Sequence, residues 1–230
     1  MSRHGRAATR VPHVPDYYPV CLELAKLPCL IVGGGAVGLR KARALVESGA
    51  PVTIVAPGAT SAIKRLAEKG RVALRLRAYR TSDLRGKRLV FAATDDENLN
   101  RRIAREARQR GLLTNVADAP QLCDFIVPSI VRRGRLLLAI STEGTCPAYA
   151  KRLRTALEEQ FDRAHGDYVE LLGRMRREIH ARVADAKAAV ALLERLLDED
   201  LLSIVRRKGR RAAQSRARVL LDTWLQDDRP

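Results

Sequence analysis

A glycine-rich turn between an apolar strand and an amphipathic helix is the feature that most constrains this chain. The run Cys29–Val32 is short and apolar, and Gly33, Gly35 and Gly38 follow it in a GxGxxG spacing. The next dozen residues have the 3.6-residue periodicity of a helix, and a second apolar run completes a strand–helix–strand unit. In such a unit the first glycine permits the tight turn, the second lets a phosphate approach the backbone, and the third lets helix and strand pack closely. The pattern predicts a Rossmann-type unit that binds a dinucleotide.

The same pattern predicts how the dinucleotide is held. Its phosphates are expected on the backbone N–H groups of Ala36 and Val37, at the amino end of the helix. The second strand ends in Pro57 and Gly58 and lacks the acidic residue that commonly binds the adenine ribose. We therefore expect cofactor contact at this turn, with ribose recognition by backbone or other groups. Since no arginine stands there to bind a 2′-phosphate, the sequence favours NAD over NADP.

Alternating strands and helices define the fold class of the first half of the chain. Further helices are predicted at 61–69 and 97–110, and further strands at 72–79, 89–93 and 112–116. This alternation predicts an α/β fold with a Rossmann-type doubly wound parallel sheet, an NAD-binding domain over residues 1–117.

The pattern changes in the second half. Two β-rich runs, 125–131 and 135–141, flank Arg132-Arg133-Gly134, and they predict a small β-hairpin within a region 118–146. Helical periodicity from Pro147 onward, with a break at Gly166 and a long helical stretch from there through Leu197, predicts a helical C-terminal domain over 147–230 that ends in a basic tail.

Polar residues follow the fourth and fifth strands of the predicted sheet, at the edge where open α/β sheets bind ligands. Thr94 and Asp95 follow the fourth strand and are expected near the nicotinamide half of the cofactor, although this segment is equally suited to cap the next helix. Asn115 and Asp118 follow at the fifth strand. A carboxylate there can act as a base, whereas turn formation before Pro120 is the commoner use of such an aspartate.

A second polar loop leaves the predicted hairpin. The hydroxyls and backbone donors around Ser141, Thr142, Gly144 and Thr145 suit an anionic group, while helix capping by Thr145 is the commoner use of that residue. No histidine lies between the first strand and the end of the hairpin, so proton transfer there needs another group. The four cysteines have no metal-ligand spacing, and no metal site is predicted.

The net charge of the chain limits the classes of binding partner. The 230 residues carry a formal net charge of +17, which indicates an anionic partner. No signal peptide or membrane-spanning run is recognisable, which favours a cytoplasmic protein without membrane association. No helix-turn-helix, zinc finger or RNA-binding aromatic motif is present, so nucleic acid is not favoured. A non-catalytic NAD-sensing or nucleic-acid-binding regulator that uses the basic cluster 206–211 stays as the alternative to an enzyme.

Six segments together resemble one family, the NAD-dependent precorrin-2 dehydrogenases, which also form the dehydrogenase/ferrochelatase module of siroheme synthases. The segments are Tyr18-Pro-Val-Cys-Leu-Glu-Leu, Cys29-Leu-Ile-Val-Gly-Gly-Gly-Ala-Val-Gly-Leu-Arg-Lys-Ala-Arg, Ala92-Ala-Thr-Asp-Asp, Asn115-Val-Ala-Asp-Ala-Pro, Phe125-Ile-Val-Pro-Ser-Ile and Ser141-Thr-Glu-Gly-Thr-Cys-Pro. They run in family order over about residues 16–160. Within these 230 residues we expect no methyltransferase domain of the kind fused in full siroheme synthases.

The resemblance implies a chemistry that the residues alone leave open. It implies oxidation of precorrin-2 to sirohydrochlorin by hydride transfer to NAD⁺, and in bifunctional members also insertion of Fe²⁺ as a substrate. It places Asp118 on the family's essential aspartate and Asn115 and the 141–145 loop near the substrate. It also implies a homodimer formed through the hairpin and helical region. A tetrapyrrole with many carboxylates accounts for the basic charge.

Overall fold

A computed structural model describes residues 16–227, and the ends of the predicted outer domains, 1–15 and 228–230, lie outside the described residues. The chain divides into two compact units, the first reaching Val127 and the second starting at Pro128. The hairpin belongs to the same unit as the C-terminal helices.

The first unit is built on a five-stranded parallel sheet with the order β3-β2-β1-β4-β5. Its strands are β1 (Cys29–Val32), β2 (Val52–Ala56), β3 (Ala73–Leu76), β4 (Leu89–Ala92) and β5 (Leu113–Val116), and its helices are α1 (Ala36–Glu47), α2 (Ser61–Glu68) and α3 (Glu97–Arg108). The strand order reverses direction between β1 and β4. A crevice forms at the carboxyl ends of the strands at such a point, and ligands bind there.

The strands β1, β2 and β4 are buried on both faces, as their uninterrupted apolar sequences predict, whereas the edge strand β3 is mostly exposed. Leu30 and Val32 of β1 pack on one face with Ile103 of α3, and Cys29 and Ile31 pack on the other face beneath α1 and α2. The Rossmann-type doubly wound fold predicted from the sequence is confirmed.

The second unit joins an antiparallel hairpin to four helices. The hairpin consists of β6 (Ser129–Arg133) and β7 (Leu136–Ile140), and the helices are α4 (Pro147–Gln160), α5 (Arg163–Arg182), α6 (Ala186–Asp198) and α7 (Leu201–Asp227). A kink at Gly209, whose φ of 80° and ψ of 168° are not helical, divides α7 into two parts. Buried apolar residues of α5, α6 and α7 form one core, in which Leu171, Met175, Leu196 and Leu221 are fully covered. Within residues 16–227 no helix has the length and apolar character needed to cross a membrane.

Three local predictions in this unit are wrong. The hairpin turn is Gly134-Arg135 rather than 132–134, since Arg133 pairs with Leu136 and Gly134 has a φ of +56°. The helical break lies before Asp162, whose side chain caps α5, and not at Gly166. Gly166 lies inside α5, where an added Cβ would be 2.6 Å from the carbonyl oxygen of Arg133, so the glycine permits close packing and does not end a helix. The helix predicted to continue to 197 ends at 182 and resumes at 186.

Candidate functional site

The glycine turn has the geometry that its spacing predicts. Gly33 has a φ of +125°, and an added Cβ there would overlap the carbonyl oxygen of Ala93. A Cβ on Gly38 would overlap the Gly33 carbonyl, so this glycine lets α1 pack on the turn. Gly35 is different, because an added Cβ meets nothing within 4 Å. As the N-cap of α1 it has no side chain to occupy the helix N–H groups, which leaves them for a phosphate.

Gly34 is a further required glycine that the GxGxxG pattern does not identify. An added Cβ on Gly34 would overlap the carbonyl oxygen of Gly58, and its own carbonyl accepts a hydrogen bond of 3.0 Å from the Thr60 N–H. These contacts join the turn after β1 to the turn after β2.

A cavity of about 270 Å³, the β1–β2 cavity, opens beside this junction. Its walls include Gly33 to Gly35, Pro57, Gly58, Thr94, Asp95 and Leu99. Pro57 and Gly58 thus line the same cavity as the glycine turn. Their backbone forms its wall at the end of β2.

Two arginines near the end of the neighbouring strand β3 are already paired. Arg75 and Arg77 donate to the buried carboxylate of Asp83 at 2.8 and 2.6 Å, and Asp83 is only 2% exposed. The Arg77 hydrogen bonds hold the pKa of Asp83 well below its ordinary value. Asp83 therefore neutralises cations on the strand next to β2.

A second cavity of about 370 Å³, the β4–β5 cavity, lies farther along the same sheet edge. Its walls include Val37, Thr94, Asp95, Glu97, Asn100, Arg101 and the segment 116–119. Thr94 and Asp95 belong to both cavities, so the two are neighbours along the sheet edge.

Asp118 lines the β4–β5 cavity in an uncommon backbone conformation. Its φ is +55°, in the left-handed region that a residue other than glycine seldom adopts. Its side chain is exposed. Strained conformations are concentrated at functional sites because the surrounding structure must hold them there.

The segment after β4 is fixed by a side chain that the sequence analysis did not single out. Asn100 donates from Nδ2 to the Thr94 carbonyl at 2.8 Å, and its Oδ1 accepts from the Thr94 hydroxyl at the same distance. Asp96 caps α3 by accepting from the Leu99 N–H at 3.0 Å. Asp96 rather than Asp95 is therefore the cap, and Asp95 lies at the junction of the cavities.

Asn115 lies in a buried network instead of on a cavity wall. It is 8% exposed, its Oδ1 accepts a hydrogen bond of 2.9 Å from Lys41 Nζ, and its Nδ2 donates to the Phe125 carbonyl at 3.0 Å. The pKa of Lys41 is lowered, first by burial and then by the charge of Arg40. Lys41 was also missed, although it lies in α1 shortly after the glycine turn.

The loop of Ser141, Thr142, Gly144 and Thr145 lies in the second unit, between β7 and α4. Its hydroxyls hold its own backbone: Ser141 Oγ accepts from the N–H two residues on at 2.9 Å, and Thr142 Oγ1 accepts from the Cys146 N–H at 3.2 Å. Gly144 has a φ of +83°. Thr145 does not cap α4, because the N-cap is Cys146.

The basic segment of α7 is largely paired with acidic residues of its own unit. Arg206 contacts Asp162 at 2.9 Å, Arg207 lies 3.6 Å from Asp200, and Arg210 contacts Glu170. Among residues 16–227 there is no cluster of three or more histidine, cysteine or acidic side chains placed to hold a metal.

Known proteins are similar to this chain in both sequence and fold. A family described as Putative NAD(P)-binding matches residues 20–129. Siroheme synthase of Methylococcus capsulatus is 38% identical over 218 residues, which is 94% of this chain and 45% of the relative. Siroheme synthase of Pseudomonas entomophila is 41% identical over 170 residues, which is 74% of this chain and 37% of the relative. The chain thus spans less than half the length of these curated relatives.

A solved structure extends the match to a protein of similar size. SirC, a precorrin-2 dehydrogenase, aligns with a TM-score of 0.73 and 26% sequence identity, covering 88% of this chain and 99% of that chain.

Proposed function

We propose that this chain oxidises precorrin-2 to sirohydrochlorin with NAD⁺, because it is similar over most of its length to siroheme synthases and to a precorrin-2 dehydrogenase. One observation carries this proposal: a phosphate-binding turn and the carboxylate of Asp118 line neighbouring cavities on one sheet edge. The turn suits one end of a dinucleotide, and the carboxylate suits proton transfer at the other.

The residues of the β1–β2 cavity fit a nicotinamide dinucleotide. Gly35 leaves open space where a side chain would otherwise stand, and the N–H groups of Ala36 and Val37 are the donors for the pyrophosphate. Thr94 and Asp95 line both cavities and would contact a dinucleotide that reaches from one cavity into the other. When bound, the nicotinamide ring accepts a hydride.

Asp118 supplies the acid–base part of the reaction. Oxidation to sirohydrochlorin removes two hydrogens from the tetrapyrrole, one with its electron pair as hydride and one as a proton. A bound nicotinamide would supply the hydride acceptor, and the Asp118 carboxylate takes the proton, which then passes to solvent through its exposed side. The left-handed backbone at Asp118 keeps the carboxylate at the cavity wall.

The pairing of Arg75 and Arg77 supports NAD rather than NADP as the cofactor. Asp83 already holds both guanidinium groups, and the end of β2 offers backbone at Pro57 and Gly58. A 2′-phosphate would therefore lack a prepared cation on this side. Parallel titrations with the two oxidised cofactors, followed by protein fluorescence or calorimetry, test this preference.

The main experiment follows anaerobic precorrin-2 oxidation by absorption, with NAD⁺ and with or without Fe²⁺ or Co²⁺. The wild-type protein is expected to form sirohydrochlorin, and the arm with metal tests for chelation. Asp118→Asn removes the base but keeps the backbone conformation, because asparagine tolerates the left-handed region. We expect this variant to lose about 10²–10⁴-fold in turnover while its NAD⁺ affinity stays unchanged. Undiminished turnover by this variant would exclude the proposed role.

We propose that the second unit mediates self-association. We also propose that its loop 141–145 supplies donors for the anionic substrate. Ile130 of β6 is 43% exposed, and the apolar side chains of β7 are only partly covered. These features support a homodimer formed through the hairpin. Sedimentation of Ile130→Asp is expected to show monomers, whereas Val190→Asp, at a site on α6 that is 52% exposed, is expected to keep the wild-type state.

A further inference from the structure

A further cavity lies at the amino edge of the parallel sheet, where the proposed oxidation does not use it. This amino-edge cavity has a volume of about 510 Å³, and its walls include Ser82, Leu84, Arg85, Lys87, Arg110 and Leu112. Lys87 comes shortly before β4 and Arg110 before β5, whereas Thr94 and Asp118 follow these two strands. Because a four-residue strand spans about 13 Å, the length of the sheet separates this cavity from the two at the carboxyl edge.

The amino-edge cavity has an apolar floor and a cationic rim. Leu84 and Leu112 are buried, Lys87 is half-buried, and Arg85 and Arg110 are exposed. Among the described residues, those that line the cavity include these three cations and no carboxylate. Its walls therefore suit an anion.

The described part of the chain gives none of these cations a carboxylate partner. Within residues 16–227 no ion pair within 4.0 Å includes Arg85, Lys87 or Arg110. Lys87 Nζ donates to the Thr53 hydroxyl at 2.7 Å, and Arg110 donates to the Glu106 carbonyl oxygen at 2.8 Å. Both acceptors are neutral, so they leave the positive charges uncompensated.

The acidic residues closest to this rim along the chain are already bonded to other groups. Asp83, two residues before Arg85, accepts from two arginines of the β3 segment. The carboxylate of Glu106, four residues before Arg110, accepts from Arg102 and from a tyrosine hydroxyl. Since a half-buried charge without a counter-ion costs stability, the rim is a site that an external anion would stabilise.

A turn at Gly86 brings two of the cations to the same cavity. Gly86 has a φ of +70°, in the left-handed region, and lines the cavity together with Arg85 and Lys87 on either side of it. An added Cβ on Gly86 would meet nothing within 4 Å. The backbone conformation, rather than a lack of space, is therefore what favours glycine between the two cations.

We propose that the amino-edge cavity binds a diphosphate group, either free pyrophosphate or the diphosphate of a nucleotide. Guanidinium groups donate paired hydrogen bonds to phosphate oxygens, and an ammonium group adds a compact positive charge. The oxygens of two linked phosphates can accept from Arg85, Lys87 and Arg110 on different walls, and the exposed Ser82 adds a hydroxyl donor. This site goes beyond the proposed oxidation and does not depend on it.

The test is calorimetric titration of the full chain with pyrophosphate at low salt and in excess NAD⁺. The excess NAD⁺ keeps pyrophosphate from the glycine turn. Wild-type protein is expected to show saturable binding. Arg85→Gln and Arg110→Gln are each expected to weaken it by about tenfold or more, because each variant loses a charged hydrogen bond.

Two further variants separate a site from general electrostatic attraction. Arg88→Gln is the matched control, since Arg88 is exposed in the same segment and does not line the cavity. It is expected to change the affinity by less than about twofold. Arg85→Lys keeps the charge and is expected to bind more tightly than Arg85→Gln. Circular dichroism of each variant checks that the fold is retained.

The outcomes distinguish the two sources of the diphosphate and can overturn the site. Tighter binding of ADP than of pyrophosphate identifies a nucleotide, and the reverse order identifies free pyrophosphate. Absence of saturable binding, or equal affinities in the wild type, Arg85→Gln and Arg110→Gln, would overturn the proposal. Citrate that binds as tightly as pyrophosphate would overturn the preference for phosphate over carboxylate.

Discussion

The two units of this protein use charged residues in opposite ways. In the parallel-sheet unit, single charges lie at defined points of the packed structure: Asp83 is buried beneath two arginines, and Lys41 is half-buried against an amide and a ring. In the helical unit the buried cluster is apolar, and the charges form a surface row between α5 and α7.

That row gives the basic helix α7 a structural role. Arg210 pairs with Glu170, Arg218 with Glu178 at 3.1 Å, and Arg182 with Asp222 at 2.7 Å. The partners are 40 residues apart each time, so α5 and α7 run in the same direction. A high arginine content therefore does not by itself indicate a nucleic-acid surface, because paired arginines are less available to phosphates.

The largest effect is expected where the sheet unit has no room for a side chain. Gly33→Ala adds a Cβ that overlaps the Ala93 carbonyl at a φ of +125°, so the free energy of unfolding should fall by more than about 3 kcal/mol. Urea unfolding followed by circular dichroism measures this.

Gly35→Ala is the matched control, since its Cβ meets nothing within 4 Å. We expect a loss of about 1 kcal/mol or less, as for an altered helix N-cap, together with weaker dinucleotide binding. Equal losses of stability in both variants would contradict the distinction between Gly33 as a structural glycine and Gly35 as a ligand-facing one.

The buried ion pair of the sheet unit should give the next largest effect. Asp83→Asn leaves two arginines without their carboxylate and is expected to cost about 2–4 kcal/mol at neutral pH. Because Arg77 and Arg75 lower the pKa of Asp83, its contribution is fully present above the unfolded value of about 3.9 and is lost as the pH falls toward the folded value.

Unfolding curves between about pH 2 and pH 7 measure this contribution. The stability difference between wild type and Asp83→Asn should shrink toward acid. A difference that stays constant with pH would show that Asp83 acts through packing alone.

A smaller effect is expected at the close contact between α5 and the hairpin turn. Gly166→Ala brings a Cβ to 2.6 Å from the Arg133 carbonyl and should cost about 1–3 kcal/mol. Gly173→Ala, on the same helix, meets only the end of the Arg177 side chain at 3.9 Å and should stabilise by about 1 kcal/mol through helix propensity. Thermal unfolding of the two variants measures the direction of each change in stability. A change in the same direction for both variants would contradict this account.

The smallest effects are expected in the surface row. Arg218→Gln and Arg182→Gln remove exposed or half-exposed pairs and should each cost about 0.2–1 kcal/mol, decreasing in high salt. Arg176→Gln, at an exposed site on α5, is the control. If these variants lost as much stability as Asp83→Asn, charges would contribute equally to stability in the two units, which would contradict the comparison.

The sequence predicted the sheet unit well because its signals are local. Each strand is an apolar run bounded by turn residues, and each helix has its own period, so neighbours along the chain suffice. The break after α4 was misplaced for the opposite reason. Gly166 resembles a helix stop, but its purpose is a contact with Arg133, which lies in a different element.

The proposed site was predictable only in part. The GxGxxG spacing identifies Gly33, Gly35 and Gly38, whereas Gly34 is required by the turn after β2. Asn100 is one of several polar residues of α3 in the sequence, and only folding brings its amide to Thr94. Such residues carry no local pattern that separates them from solvated neighbours.

By itself the sequence determined that this chain forms strand–turn–helix–strand units with a phosphate-binding turn, because backbone sterics and hydrophobic period act over a few residues. Only the tertiary structure decided that Lys41 meets Asn115, 74 residues away, and that Asp118 adopts a left-handed backbone at the cavity wall. The strand order places β4 next to β1 and β5 next to β4, and that pairing brings distant charges to one sheet edge. Such proximity depends on which strands pair, a property that no single segment encodes.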